Sequence, residues 1–356
     1  MIKIDGSLYS GSGTILRYAA ALCTLTGEPL HMFRIREKRD RPGLRRQHLQ
    51  AVQTCAELCG GSLEGGSIGS REIVYRPGKD IRGGDFRVDI GSAGSATMLA
   101  FTLIPVALWA PEPSRFNLIG GLFQDFAPGA YHMQKVLLPL LQRMGADISF
   151  TITRPGYVPE GNGELIVEVS PAGRGLAPIE MAVQGAMKKV RGISLSSHLQ
   201  EEKVSERMAR EAGDLLARHG IGFDAEILHD RTALQRGAAL LLRADTDTEC
   251  ILGSDRAGRR GRRSEAIAGF CVRTLMEDIR SGATVDRHTA DQLILFGGLA
   301  AGRTEYIIPA ATDHVKTNIE MIRKLLGAGA ELLPGRRLRI DGIGLHPTGR
   351  QGFRVC

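Results

Sequence analysis

Aromatic side chains are scarce in this sequence, at 5% of residues with a single tryptophan. A folded core must then be packed from aliphatic residues. Long apolar runs are missing too. The longest, Met98 to Ala110, is broken by Pro105 and too short to cross a bilayer, which excludes a membrane-spanning helix. Met1-Ile-Lys-Ile-Asp5 runs straight into a strand-like segment, with no apolar stretch or small-residue cleavage site, so no signal peptide is expected. The six cysteines fall at irregular spacings without a Cys-x-x-Cys pair, which argues against structural zinc, and Cys55 and Cys59 share one helix face. A reduced cytoplasmic protein is the expectation. There is no Walker loop, no Gly-x-Ser-x-Gly elbow and no His/Asp/Glu spacing that assigns a metal ligand.

What is present is a globular mixture of 43% hydrophobic and 24% charged residues, rich in glycine. At 356 residues the chain is too long for one ordinary core but fits a large repetitive domain with an insert. Three helix-like segments, Arg46 to Gly60, Met133 to Gly145 and Lys316 to Gly327, close on glycine and run into short apolar strands near Ser62, Ala146 and Ala330. Each follows another strand–helix pair: Ile2–Gly6 with Thr14–Leu22, Phe86–Gly91 with Ala96–Leu103, and Thr284-Val285 with Ala290–Leu299. The unit reads β-α-β-α-β, three times over. Gly60 to Gly145 spans 85 residues and Gly145 to Gly327 spans 182, so the third unit arrives roughly 95 residues late. The fold expected is α/β: three repeated βαβαβ-type units in one large domain (1–186 and 281–356), with a small α/β insert (187–280). Within the insert, strands are expected near Val190–Leu195 and Ala238–Ala244, with helices near Glu201–His219 and Ser264–Ile279.

The net charge of +7 is compatible with a polyanionic partner. Seven basic residues crowd Arg34–Arg46 and five arginines crowd Arg256–Arg263. Such runs are ordinarily solvated faces. The first, however, contains Pro42-Gly43 and opens a helix, a setting suited to an anion. The loops Asp5–Thr14 and Gly91–Thr97 also place glycines and hydroxyls before helices, either as caps or as anion cradles. His314 stands just before the last helix with Lys316 beside it, and a histidine so placed can form covalent intermediates. A lone histidine is more often a cap or surface residue. His288 precedes Ala290-Asp291-Gln292 and could line the same mouth.

Asp5-Gly6, Ile15-Leu-Arg17, Arg41-Pro-Gly-Leu-Arg-Arg-Gln-His-Leu49, Arg82-Gly-Gly-Asp85, Ile90-Gly-Ser-Ala-Gly-Ser95, Gly120-Gly121, Ala290-Asp-Gln-Leu293 and His314-x-x-Thr-Asn318 run in order along essentially the whole chain. In these motifs the sequence resembles the RNA 3′-terminal phosphate cyclase family. That resemblance implies three repeated units with a small α/β insert between the second and third. It also implies ATP and RNA 3′-phosphate ends as reactants, a divalent metal (Mg or Mn), and a histidine matching His314 that becomes adenylylated. AMP would pass to the RNA 3′-phosphate, and the neighbouring 2′-hydroxyl would displace it to leave a 2′,3′-cyclic phosphate. His288, Thr289, Ala290, Asp291, Gln292 and Phe101 would contact nucleotide; Arg17, Arg36, Arg39 and Gln47 would hold RNA phosphate or triphosphate. The sequence departs from the family pattern where Ser10 replaces a glutamate placed near the metal and Phe101 replaces a nucleotide-contacting glutamine. Two rival readings are a non-catalytic relative that binds RNA or assists ribosome assembly, and a histidine-adenylylating enzyme acting on another phosphorylated end.

Overall fold

The computed structural model describes residues 1–125 and 127–346, which leaves Cys356 outside the described residues. The chain opens with β1 (Ile2–Asp5), α1 (Gly13–Thr26), β2 (Leu30–Phe33), α2 (Arg46–Cys59), β3 (Ser62–Glu64) and β4 (Ile73–Arg76). Strands β1 and β2 are parallel, as a helical crossover allows, while β4 lies antiparallel between β2 and β3. The same pairing follows in β5 (Gly84–Asp89), α3 (Ala96–Leu108), β6 (Ser114–Gly120), α4 (Ala130–His132), α5 (Leu138–Arg143), β7 (Ile148–Arg154) and β8 (Gly163–Val169). Between α4 and α5 the helix widens into a π turn over Met133–Leu137, where the Leu138 N–H reaches back to the Met133 carbonyl. Pro139 lacks an N–H, and the wider turn accommodates it.

The next strands do not continue one sheet. After β9 (Glu180–Met181) come β10 (Met187–Ser197), α6 (Val204–Ala217), β11 (Phe223–Asp230), β12 (Gly237–Thr246), β13 (Ile251–Ala257) and α7 (Ser264–Arg280). Strands β10–β13 form their own sheet in the order β11-β10-β12-β13, and α6 and α7 pack on it and on each other. The chain then returns through α8 (Thr289–Leu299), β14 (Arg303–Ile307), α9 (Asp313–Leu326), β15 (Gly329–Leu333) and β16 (Arg337–Asp341). These complete a sheet of order β15-β16-β14-β9.

Two details differ from the sequence reading. Each of the three similar sheets has one strand more than β-α-β-α-β provides: β4, β8 and β16. The strand parallel to β14 is β9, formed before the β10–β13 sheet, whereas Val285 makes only an isolated bridge to Ile251. A two-residue strand carries no alternation to read. Buried Thr284 instead exchanges hydrogen bonds with Ile307.

Burial explains why the site lies between helices. Helices α1 and α3 are buried along their full length, and every residue of α8 except Asp291 is buried. Such all-round apolar helices belong at the centre, while α2 and α9, polar on one face, flank them. Contacts of α1 with α3 and α9, and of α8 with α9, bring the helix N-terminal ends together.

Candidate functional site

Four helices and one loop enclose a cavity of about 250 Å³. Helix α1 supplies Thr14, Arg17 and Tyr18, α3 supplies Met98 and Phe101, and α9 supplies His314 and Asn318. His288 caps α8, which adds Asp291 and Gln292. Residues 288, 291 and 292 are one helical face, since positions three and four apart project together. Thr289 and Ala290 do not line this cavity. The Thr289 hydroxyl donates to Asp286 at 3.0 Å, and the Ala290 carbonyl accepts from Tyr306 at 3.1 Å.

His314 lies in the first turn of α9, which Thr312 caps by accepting from the Val315 N–H at 3.2 Å. Its Nδ1 is 3.4 Å from Thr14 Oγ1 and 3.8 Å from Asp291 Oδ2. Burial depresses its basicity, and the positive charges of Arg39 and Arg17 depress it further. The ring is therefore held neutral, as a nucleophilic imidazole must be. Asp291 is pushed up to about 7, chiefly by burial and then by repulsion from Asp286, against the attraction of Arg17. Its backbone carbonyl accepts from Tyr18 Oη at 2.7 Å and Asn318 Nδ2 at 2.9 Å, which locks α1, α8 and α9 at one point.

Three polar atoms in this wall are buried without a partner: Arg17 Nε, Gln292 Oε1 and Asn318 Oδ1. Each costs of order 1–3 kcal/mol unless something binds there. Burial and the charge of Arg36 lower Arg17 to about 10, within the range where it stays charged at neutral pH.

Arg17, Met98 and Ala127 also line a second space of about 790 Å³. This groove is walled by Arg36, Arg41, Arg45, Arg46 and Gln47 and by the Ser92–Ser95 loop. No carboxylate lines it among the described residues. Arg36 donates to the carbonyls of Arg41 and Gly43, both at 2.8 Å, and so shapes the basic loop. Gln47 Oε1 accepts from the Ser95 N–H at 2.6 Å, bracing the loop opposite. Arg39 is exposed and outside the lining, yet its charge reaches His314. Gly13 admits no side chain, because a β-carbon there would lie 2.1 Å from His48 Nε2.

The sequence reading missed Thr14, Tyr18 and Asn318 as site residues. The available signal was helical spacing: Tyr18 is four residues beyond Thr14 and Asn318 four beyond His314. Lys316 points elsewhere, with an exposed partner in Asp313 at 3.7 Å.

A protein-held metal does not fit these residues. Among the described residues no group of three or more His, Cys, Asp or Glu side chains could hold an ion. Asp291 is the only carboxylate in the described cavity lining. Ser10 meets Thr317 through a 3.3 Å hydroxyl contact and brings no charge. Asp125 is engaged by Arg262, at 2.6 and 2.8 Å, and by Arg256 at 3.2 Å.

Residues 8–332 match the sequence model of a family described as RNA 3′-terminal phosphate cyclase. The chain belongs to this family. Proteins named RNA 3′-terminal phosphate cyclase resemble it at full length. One from Ignicoccus hospitalis is 37% identical over 92% of this chain and 93% of its own. One from Pseudomonas fluorescens is 37% identical over 94% and 95%. One from Pyrobaculum neutrophilum is 34% identical over 96% and 99%. A crystal structure of the enolpyruvyl transferase NikO from Streptomyces tendae aligns with 97% of this chain and 50% of that one. Its TM-score of 0.40 and identity of 10% are too low to bear on fold or function.

Proposed function

We propose that this cyclase-family member uses ATP to convert an RNA 3′-phosphate end to a 2′,3′-cyclic phosphate through a His314–AMP intermediate. In this reading the three sheets of like pairing are copies of one unit, and residues 187–280 are an insert. The carrying observation is His314 itself. Its Nδ1 faces Thr14 and Asp291, which leaves Nε2 as the free nitrogen of a neutral ring.

Ionised Asp291 favours the tautomer with hydrogen on Nδ1, so the lone pair sits on Nε2. Attack on the α-phosphorus of ATP forms a phosphorus–nitrogen bond and releases pyrophosphate. Asp291 then faces the positive charge that the ring acquires. An oxygen of the RNA 3′-phosphate next attacks the same phosphorus, the phosphorus–nitrogen bond breaks, and the neutral ring returns. Finally the 2′-oxygen attacks the terminal RNA phosphorus, AMP leaves, and the hydroxyl proton passes to solvent. Arg17, between cavity and groove, would meet phosphate on both sides, with Arg36 and the loop arginines holding the RNA end. Gln292 and Asn318 offer acceptors to the donors of a nucleotide, and Phe101 and His288 shape the wall. Cytoplasmic location follows as part of this reading.

The test is incubation with ATP labelled at the α-phosphate, followed by isolation of the protein. An acid-labile AMP adduct that vanishes in His314→Ala is expected. No adduct would leave a non-catalytic RNA-binding relative as the better reading, and an adduct that survives the substitution would move the nucleophile elsewhere.

A further inference from the structure

The arginine groove does not end at the core. Val158 and Pro159 form one of its walls and also line a further cleft of about 600 Å³ against the start of β12, the loop after β13 and the starts of α6 and α7. The floor between the two spaces is fixed. Tyr157 Oη and Ser197 Oγ are 2.8 Å apart, and the Glu160 N–H donates to Gln235 Oε1 at 3.1 Å. Val158 stands 57% exposed on this saddle. The cleft is lined by Arg236, Arg259, Arg260 and Arg262, and by no carboxylate among the described residues.

These arginines are not equivalent. Arg262 is held by Asp125, and Arg236 pairs with Glu202 at 3.1 Å. Arg259 and Arg260 are exposed and line the cleft without a close ion pair among the described residues, although the charge of Arg259 reaches Asp125. An ordinary solvated basic face carries interleaved acidic partners and no particular direction. This run instead follows on from the groove at Arg17, and neither lining holds a carboxylate among the described residues, with Glu160 exposed on the saddle between them.

We propose that the RNA strand upstream of the reacting 3′ end leaves the groove over Val158–Pro159. It then enters this cleft, where Arg259 and Arg260 take its backbone phosphates. The proposal rests on the RNA-end reading above and adds a second contact region to it. Arginine forks suit phosphate oxygens, and such contacts are independent of base sequence.

The experiment compares a short and a long RNA of one sequence, both ending in 3′-phosphate, by fluorescence anisotropy and by cyclisation rate. The proteins are the full chain and its Arg259→Ala/Arg260→Ala variant. For the long RNA, Kd weakens about tenfold in the variant, and the log–log salt slope becomes shallower by roughly 0.7 for each phosphate no longer neutralised. The short RNA binds and is cyclised within about twofold of the unsubstituted protein. Arg259→Lys/Arg260→Lys recovers most of the long-RNA affinity, because charge supplies most of it. Equal loss for both lengths, or no loss for either, overturns the track. Failure of the unsubstituted protein to cyclise the short RNA refutes the end chemistry alone, since the length-dependent binding contrast is read separately.

Discussion

The His314 cavity and the arginine groove share Arg17 as a wall but are built on opposite terms. The cavity is small and mixes aromatic rings, a carboxylate and buried polar atoms without partners. The groove is about three times larger and is lined by arginines, with glycine and serine in the loop opposite. One concentrates few groups at fixed distances around a ring nitrogen; the other concentrates charge. Under the proposed function, chemistry and grip are separate here, and substitutions on the two sides should fail differently.

The largest effect is expected from His314→Ala. Adenylylation falls by roughly 10⁴-fold or more, while affinity for a 3′-phosphate RNA, measured by anisotropy, stays within about threefold. Matched losses in both would erase the distinction between the two spaces. Asp291→Asn comes next, with a loss of about 10²- to 10³-fold in the adenylylation rate. Its pH dependence sharpens the point. Asp291 titrates near 7 and must be ionised to favour the productive tautomer, whereas His314 is already neutral below its ordinary range. The rate should therefore rise with pH through about 7 in the native protein, and this limb should disappear in Asp291→Asn.

Arg17→Lys should hurt both sides, raising KM for ATP and for RNA each by roughly tenfold, because a point charge does not replace a planar fork. Arg46→Ala should raise only the RNA KM, by a few-fold, with kcat preserved. The smallest change is expected for Ser10→Ala, which removes the contact to Thr317. It should cost under about 1 kcal/mol in denaturant unfolding and leave the adenylylation rate nearly unchanged.

Much of the helical framework was legible because its signals are local. The left-handed glycines Gly60 and Gly327 end α2 and α9 where the sequence places them. The near-continuous apolar character of α1, α3 and α8 needs no tertiary knowledge. Strands β4, β8, β9, β11, β13 and β16 have no local signal that sets them apart, and β2, β6 and β14 follow from the repeated unit only without a position, since a strand is defined chiefly by its neighbour. Within the site, His288, Asp291 and Gln292 were read as a block with Thr289 and Ala290. The helix then divided that block by its own period, turning two side chains into the core. The roles of Thr14 and Asn318 depend on three helices converging, and α1 and α9 lie about 300 residues apart in sequence. No local pattern carries that information.

One buried pair ties these parts together. His132 Nε2 lies 3.1 Å from Asp286 Oδ2, with neither side chain exposed. Burial alone would discharge the histidine, but the carboxylate's attraction outweighs it and raises the pKa. Asp286 also accepts from the N–H groups of His288 and Thr289, which open α8, and from that of Gly253 on β13. A single carboxylate thus fastens α8, the π-turn helix and the β10–β13 sheet. Melting that sheet leaves a buried anion stripped of a donor beneath the cavity. The two regions should accordingly unfold as one cooperative unit, in a single calorimetric transition rather than two.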